Sequence, residues 1–180
     1  YRRRASVFPL EAALDKDFCM RLLAAADQLS RRDRVTARAV IGTEIDIMNI
    51  AFFVRLRRYH ALPMGEMLEW FIPGGVHVRE QTIRDLYVTD GLAQTAASVS
   101  LGPYTAVRTL AEGDIRLLDA FLQNAYMAEI RRLLGGFPFG IGTIIAYSML
   151  KRRETAIVVS AVQARRRGLP AERTLAILGL

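Results

Sequence analysis

Two histidines, one cysteine and 18 carboxylates are the side chains here with reactivity for metal or nucleophilic chemistry. Their spacing serves neither. His60 and His77 stand far apart, each at an expected helix or loop end, with no cysteine or paired acid at ligand spacing beside them. Cys19 falls in an apolar stripe, where a packing thiol is the simple reading, and a single cysteine excludes an internal disulfide and fits a reducing compartment. The acid pairs Asp15/Asp17 and Glu112/Asp114 sit at helix starts or on exposed faces, where solvation and the helix dipole account for them. No P-loop, dinucleotide fingerprint or nucleophile elbow occurs. The glycines Gly135-Gly136 and Gly140/Gly142 surround Phe-Pro-Phe, a hydrophobic loop and not a phosphate cradle. The sequence therefore predicts no catalytic residue, no cofactor and no metal.

The polar residues of interest are structural. Residues 43–75, TEIDIMNIAFFVRLRRYHALPMGEMLEWFIPGG, place Glu44, Asp46, Asn49 and Arg55 inside a long apolar stretch. Asp46 and Asn49, three apart, share one face of a helix and must find partners if buried, which points to bonds with a neighbouring helix. A weaker copy lies at 153–178. Glu44 and Glu154 each have an Arg eleven and thirteen residues on (Arg55 and Arg57, Arg165 and Arg167), and Leu-Pro comes next in both. In the second copy Ala156 and Val159 stand where the first has Asp46 and Asn49.

These positions need helices to carry them. Leu10, Leu14, Phe18, Leu22 and Leu29 recur at near-fourfold spacing and predict an amphipathic helix buried on that stripe. Ser30 and Asp33 form a capping box for a second helix, running to about His60 and apolar over much of its circumference. Leu62-Pro63 ends it, and short helices are expected over 65–72 and 78–88. Residues 89–109 are small and weakly patterned, a boundary between halves 1–90 and 91–180. A helix over 114–134, a long one over 141–167 and a short one after Gly168-Leu169-Pro170 complete the second half. No β-alternation of useful length appears, so the fold class is all-α, a tandem repeat of a helical-bundle unit.

A chain of 180 residues can bury a proper core, or two small ones, and its 52% hydrophobic content suits a folded protein. It opens YRRRASVF, without the apolar segment of a signal peptide and without an initiator Met. The longest uncharged run, 133–150, is broken by four glycines and a proline and is too short a helix to span a bilayer. The net charge of +7 is concentrated at the C-terminal end. Arg31-Arg32, Arg55–Arg58, Arg131-Arg132 and Arg165–Arg167 fall at expected helix C-termini, where the dipole favours each cation by about 0.3–1 kcal/mol. Arg2–Arg4 and Lys151–Arg153 are left without that explanation.

The motif Glu44-x-Asp46-x-x-Asn49-Ile50, then Arg55 and Arg57, then FIPGG, resembles the C subunit of the archaeal and bacterial A/V-type rotary ATPases, counterpart of the vacuolar d subunit. LDKDF (Leu14–Phe18) and the closing block from Pro138, PFGIGTIIAYSMLKRRETAIVVSAVQARRRGLPAERTLAIL, are similar to the same family. Members carry three helical units, and two are visible here. The resemblance implies a non-catalytic rotor subunit of the central stalk, peripheral to the membrane on its cytoplasmic side. It would be a socket that takes the shaft, made of the D and F subunits, and passes torque to the proteolipid ring during proton or sodium transport, with no small-molecule substrate. Contact with shaft or ring is expected at Lys151, Arg152, Arg153, Arg165, Arg166 and Arg167, with Glu44, Asp46, Asn49 and Arg55 as structural polar groups. The rival reading is an Arg-rich helical module binding nucleic acid or an acidic protein partner. Against nucleic acid, most aromatics lie within apolar stripes and not beside the arginines.

Overall fold

The computed structural model describes residues 8–60, 62–88, 102–104, 115–135 and 139–178. Among them every regular element is helical: α1 (Phe8–Asp27), α2 (Arg31–His60), α3 (Met64–Glu69), α4 (Glu80–Val88), a single 3-10 turn (Gly102–Tyr104), α5 (Ile115–Leu134), α6 (Ile141–Arg166) and α7 (Ala171–Leu178). The class is all-α, as expected. The chain divides into two compact units, Tyr1–Gly102 and Pro103–Leu180. The boundary placed at 90/91 lies outside the described residues.

In the first unit Ser30 turns the chain from α1 into α2. Its Oγ accepts the Asp33 N–H at 3.3 Å and donates to the Asp33 carboxylate at 3.0 Å. From Val40 to Leu56 α2 is buried over most of its circumference, with Ile45 and Val40 fully enclosed. Each such side chain contributes about 1.5–3 kcal/mol by leaving water. The face that α1 buries is not the leucine stripe. Ala12, Cys19, Leu23 and Ala26 are inside, Leu22 and Leu29 are half-buried, and Leu10, Leu14 and Phe18 are exposed, Leu14 by 60%. That face meets α2 at the Cys19 Sγ, 3.8 Å from the Met48 Sδ, and takes in Leu23 beside the smaller Ala12 and Ala26.

Two further expectations are corrected. Arg31 and Arg32 lie in the first turn of α2 and not at the end of α1, because α1 stops at Asp27 and Ser30 caps the second helix. The helix placed over 65–72 stops at Glu69, because Asn49 holds both main-chain polar groups of Ile72.

In the second unit α5 buries Leu118, Leu122, Tyr126 and Ile130, one stripe at fourfold spacing. It packs on α6, where Gly142, Ala146 and Ala164 are buried, and α7 packs against both. The end of α6 is a Schellman motif: Gly168 takes φ +70°, Leu169 N–H donates to the Ala164 carbonyl and Gly168 N–H to that of Arg165, each at 3.0 Å.

The two units share a layout. Each has a 20-residue helix, then a longer one, then Leu-Pro and a short helix whose first bond is accepted by the proline carbonyl, Met67 to Pro63 at 3.1 Å and Thr174 to Pro170 at 3.0 Å. Glu44 and Glu154 are each the fourteenth residue of the longer helix. No described helix is long and apolar enough to cross a membrane.

Candidate functional site, a buried polar clip and a basic helix

Asp46 and Asn49 project from the middle of α2 and are 0% and 3% exposed. A buried carboxylate or amide costs several kcal/mol unless its hydrogen bonds are replaced. Here the replacements are main-chain groups of the loop between α3 and α4, and not a neighbouring helix as the sequence suggested. Asp46 accepts the N–H of His77 on Oδ2 and that of Val78 on Oδ1, both at 2.9 Å. Asn49 donates from Nδ2 to the Ile72 carbonyl at 2.8 Å and accepts the Ile72 N–H on Oδ1 at 2.9 Å. One turn of helix thus clips the loop at Ile72 and again at His77 and Val78.

The clip works because the loop can come close. A Cβ on Gly75 would collide with the Asp46 carboxylate, and one on Gly42 would lie 2.8 Å from the Val76 side chain and 3.0 Å from the Gly74 carbonyl. Pro73-Gly74-Gly75 is the segment whose backbone must touch a helix. Burial pushes the Asp46 carboxyl above the usual carboxylate range, partly offset by the N–H groups of His77 and Val78 and by the His77 imidazole nearby. A carboxylate with both oxygens turned onto main-chain donors and no exposure is suited to holding a loop, not to proton transfer with a substrate.

The other polar residues of α2 lie elsewhere. Glu44 is half-buried, one turn before Asn49. Arg55 lines, with Glu11, Asp15 and Phe52, a cavity of about 380 Å³ between α1 and α2. Arg57, read from sequence as a helix-end cation, has a more specific place in the structure: its Nη1 donates to the Leu86 carbonyl at 2.6 Å, with the guanidinium 5.9 Å from the ring centres of both Phe53 and Tyr87. The sequence signals were its place among the arginines near the end of a greasy helix and its spacing from Glu44, matched by Arg167 after Glu154. No group of three or more metal-binding side chains occurs among the described residues.

The basic residues of α6 form two patches. Lys151 pairs with Glu154 at 2.8 Å and lies over the Tyr147 ring at 5.7 Å; the Glu154 carboxylate raises its pKa. Arg152 is exposed and reaches the Met149 sulfur at 3.5 Å, while Arg153 is half-buried. Arg165 and Arg166 close the last turn and Arg167 caps it, its N–H bonding back to Gln163 and Ala164. Arg153 and Arg165, the facing edges of the patches, are twelve residues of helix apart, about 18 Å, so the structure does not bring the patches together.

Comparison with known proteins gives this arrangement a context. The family model described as ATP synthase (C/AC39) subunit matches residues 1–177. The chain is similar to the C subunit of the A-type ATP synthase of Methanothermobacter thermautotrophicus, 25% identical over 94% of this chain and 45% of that one. The same subunit from Methanobrevibacter smithii is 23% identical over 99% of this chain and 48% of its own. That from Thermococcus gammatolerans is 27% identical over 94% and 46%. The chain spans about half the length of the curated relatives it matches. No solved structure matches it. With a family match that runs through both helical units, the chain belongs to the ATP synthase C/AC39 subunit family.

Proposed function

We propose that the chain is a non-catalytic coupling piece in the central stalk of an A/V-type ATPase. It is a socket that takes the tip of the shaft, formed by the D and F subunits, and rests on the proteolipid ring at the cytoplasmic face of the membrane. Torque passes through it while protons or sodium ions move through the ring, and it binds no substrate of its own. Its two halves are tandem copies of one helical unit. The observation that carries this reading is the family match over 1–177. The shared layout, with Glu44 and Glu154 at the same place in their helices, supports it. A socket needs stiffness and complementary surfaces, not a pocket. A greasy α2 with its loop clipped down at Asp46 and Asn49 supplies stiffness, and the charges Lys151–Arg153 and Arg165–Arg167 supply a surface for other subunits.

Affinity purification of the tagged chain from its own cells tests this. Shaft and ring subunits should come down with it, in stoichiometric amounts. A preparation free of both, holding RNA or DNA in a salt-sensitive complex, would overturn the reading.

A further inference from the structure

Along α6, Ile144, Tyr147, Val158 and Val162 form one solvent-facing stripe, 64% exposed at Ile144 and 61% at Val158. The steps between them keep to one side of a helix for about 27 Å. Since α5 occupies the opposite side, at Gly142, Ala146 and Ala164, the stripe has no cover among the described residues. Lys151 lies within it, and Arg152, Arg165 and Arg166 flank it against the single carboxylate of Glu154. The first unit shows what such a face accepts. Counted from the helix start, Val158 and Val162 correspond to Met48 and Phe52 of α2. Those two meet Cys19 and Phe8 of α1, an amphipathic helix that carries Glu11, Asp15 and Asp17.

We propose that this face of α6 is a docking seam for one amphipathic helix with an apolar stripe and acidic flanks, belonging to another subunit. The inference rests on the coupling reading for the existence of a partner, and on the stripe and its charges for the kind. A second copy of α6 does not suit, because basic flanks would face basic flanks. Where lysine and arginines border the seam, glutamates or aspartates on the incoming helix set its register.

The test uses the whole chain and two helix-forming peptides of about three heptads, identical along a leucine seam, one flanked by Glu and the other by Lys. Fluorescence anisotropy should show saturable binding of the Glu peptide and none of the Lys peptide. Val158→Asp, an exposed position that leaves helix content unchanged, should weaken it roughly tenfold. A Lys151→Glu/Arg152→Glu/Arg165→Glu variant should reverse the preference. Equal binding of both peptides, or indifference to Val158→Asp, would overturn the proposal. So would Val158-dependent self-association in sedimentation, which makes a second copy the occupant, or Val158-dependent binding to phosphatidylglycerol vesicles, which makes it a membrane. If Val158→Asp still assembles with shaft and ring, and the Glu peptide never binds, the seam falls while the coupling function stands.

Discussion

Asp46 and Ala156 each occupy the sixteenth place of their helix, and Asn49 and Val159 each the nineteenth, yet their surroundings are opposite. In α2 the pair is sealed inside and bonded to the backbone of residues 72–78. In α6 both positions face solvent. The second unit therefore packs without the polar pair, as α5, α6 and α7 come together with Leu118, Leu122, Tyr126, Ile130, Ala146 and Ala164 buried. What the pair adds is local: it fixes a loop of ten residues between α3 and α4, meeting the main-chain groups of the buried Ile72 and Val78 and the N–H of His77.

The contrast can be broken most forcefully at Asp46. Asp46→Ala leaves two N–H donors without an acceptor and should cost the first unit about 3 kcal/mol, read by denaturant unfolding followed through Trp70, the only tryptophan. Gly75→Ala drives a methyl into the same carboxylate and should cost about 2 kcal/mol, by the same readout. Asn49→Ala strips partners from Ile72 and should cost about 2 kcal/mol, with faster amide exchange confined to residues 71–78.

Protonation sharpens the comparison. The Asp46 carboxyl is raised in the folded chain above its ordinary 3.8, so the folded state takes up its proton first. Its contribution to stability is present in full below 3.8 and is lost as pH rises through the folded value. Relative to Asp46→Asn, the native chain should lose stability across that window and change little above it, in denaturant titrations from pH 3.5 to 7. The groups facing Asp46 are the N–H donors of Val76, His77 and Val78 and the His77 imidazole. At the far end of the scale, Ala156→Asp and Val159→Asn in α6 should each move the unfolding midpoint of the second unit by less than about 0.5 kcal/mol, since water meets the new polar group.

Much of the fold was legible because helices announce themselves through period and punctuation. The stripe Leu118, Leu122, Tyr126, Ile130, the cap at Ser30 and the stops at Leu62-Pro63 and Gly168-Leu169-Pro170 all lie within reach of local rules. What failed depends on a second element. Nothing in FPLEAALDKDFCMRLL says that Ala12 and Cys19, and not Leu10, Leu14 and Phe18, will be buried; the packing partner of α1 decides that. That Asp46 and Asn49 need partners comes from their apolar setting, but partners 23 to 32 residues downstream on a loop backbone leave no side-chain signature beyond the glycines that permit the approach. The basic residues of α6 read from sequence as a helix-end cluster at Arg165–Arg167 and an unexplained one at Lys151–Arg153, and the helix holds the two apart as separate patches.

The proposed coupling role is tested most directly in membranes of the chain's own cell, by measuring ion transport into sealed vesicles and ATP hydrolysis side by side, with this chain present or depleted. The account predicts that depletion leaves hydrolysis running while transport collapses, and that adding the chain back restores the ratio. Full transport without it would contradict the account.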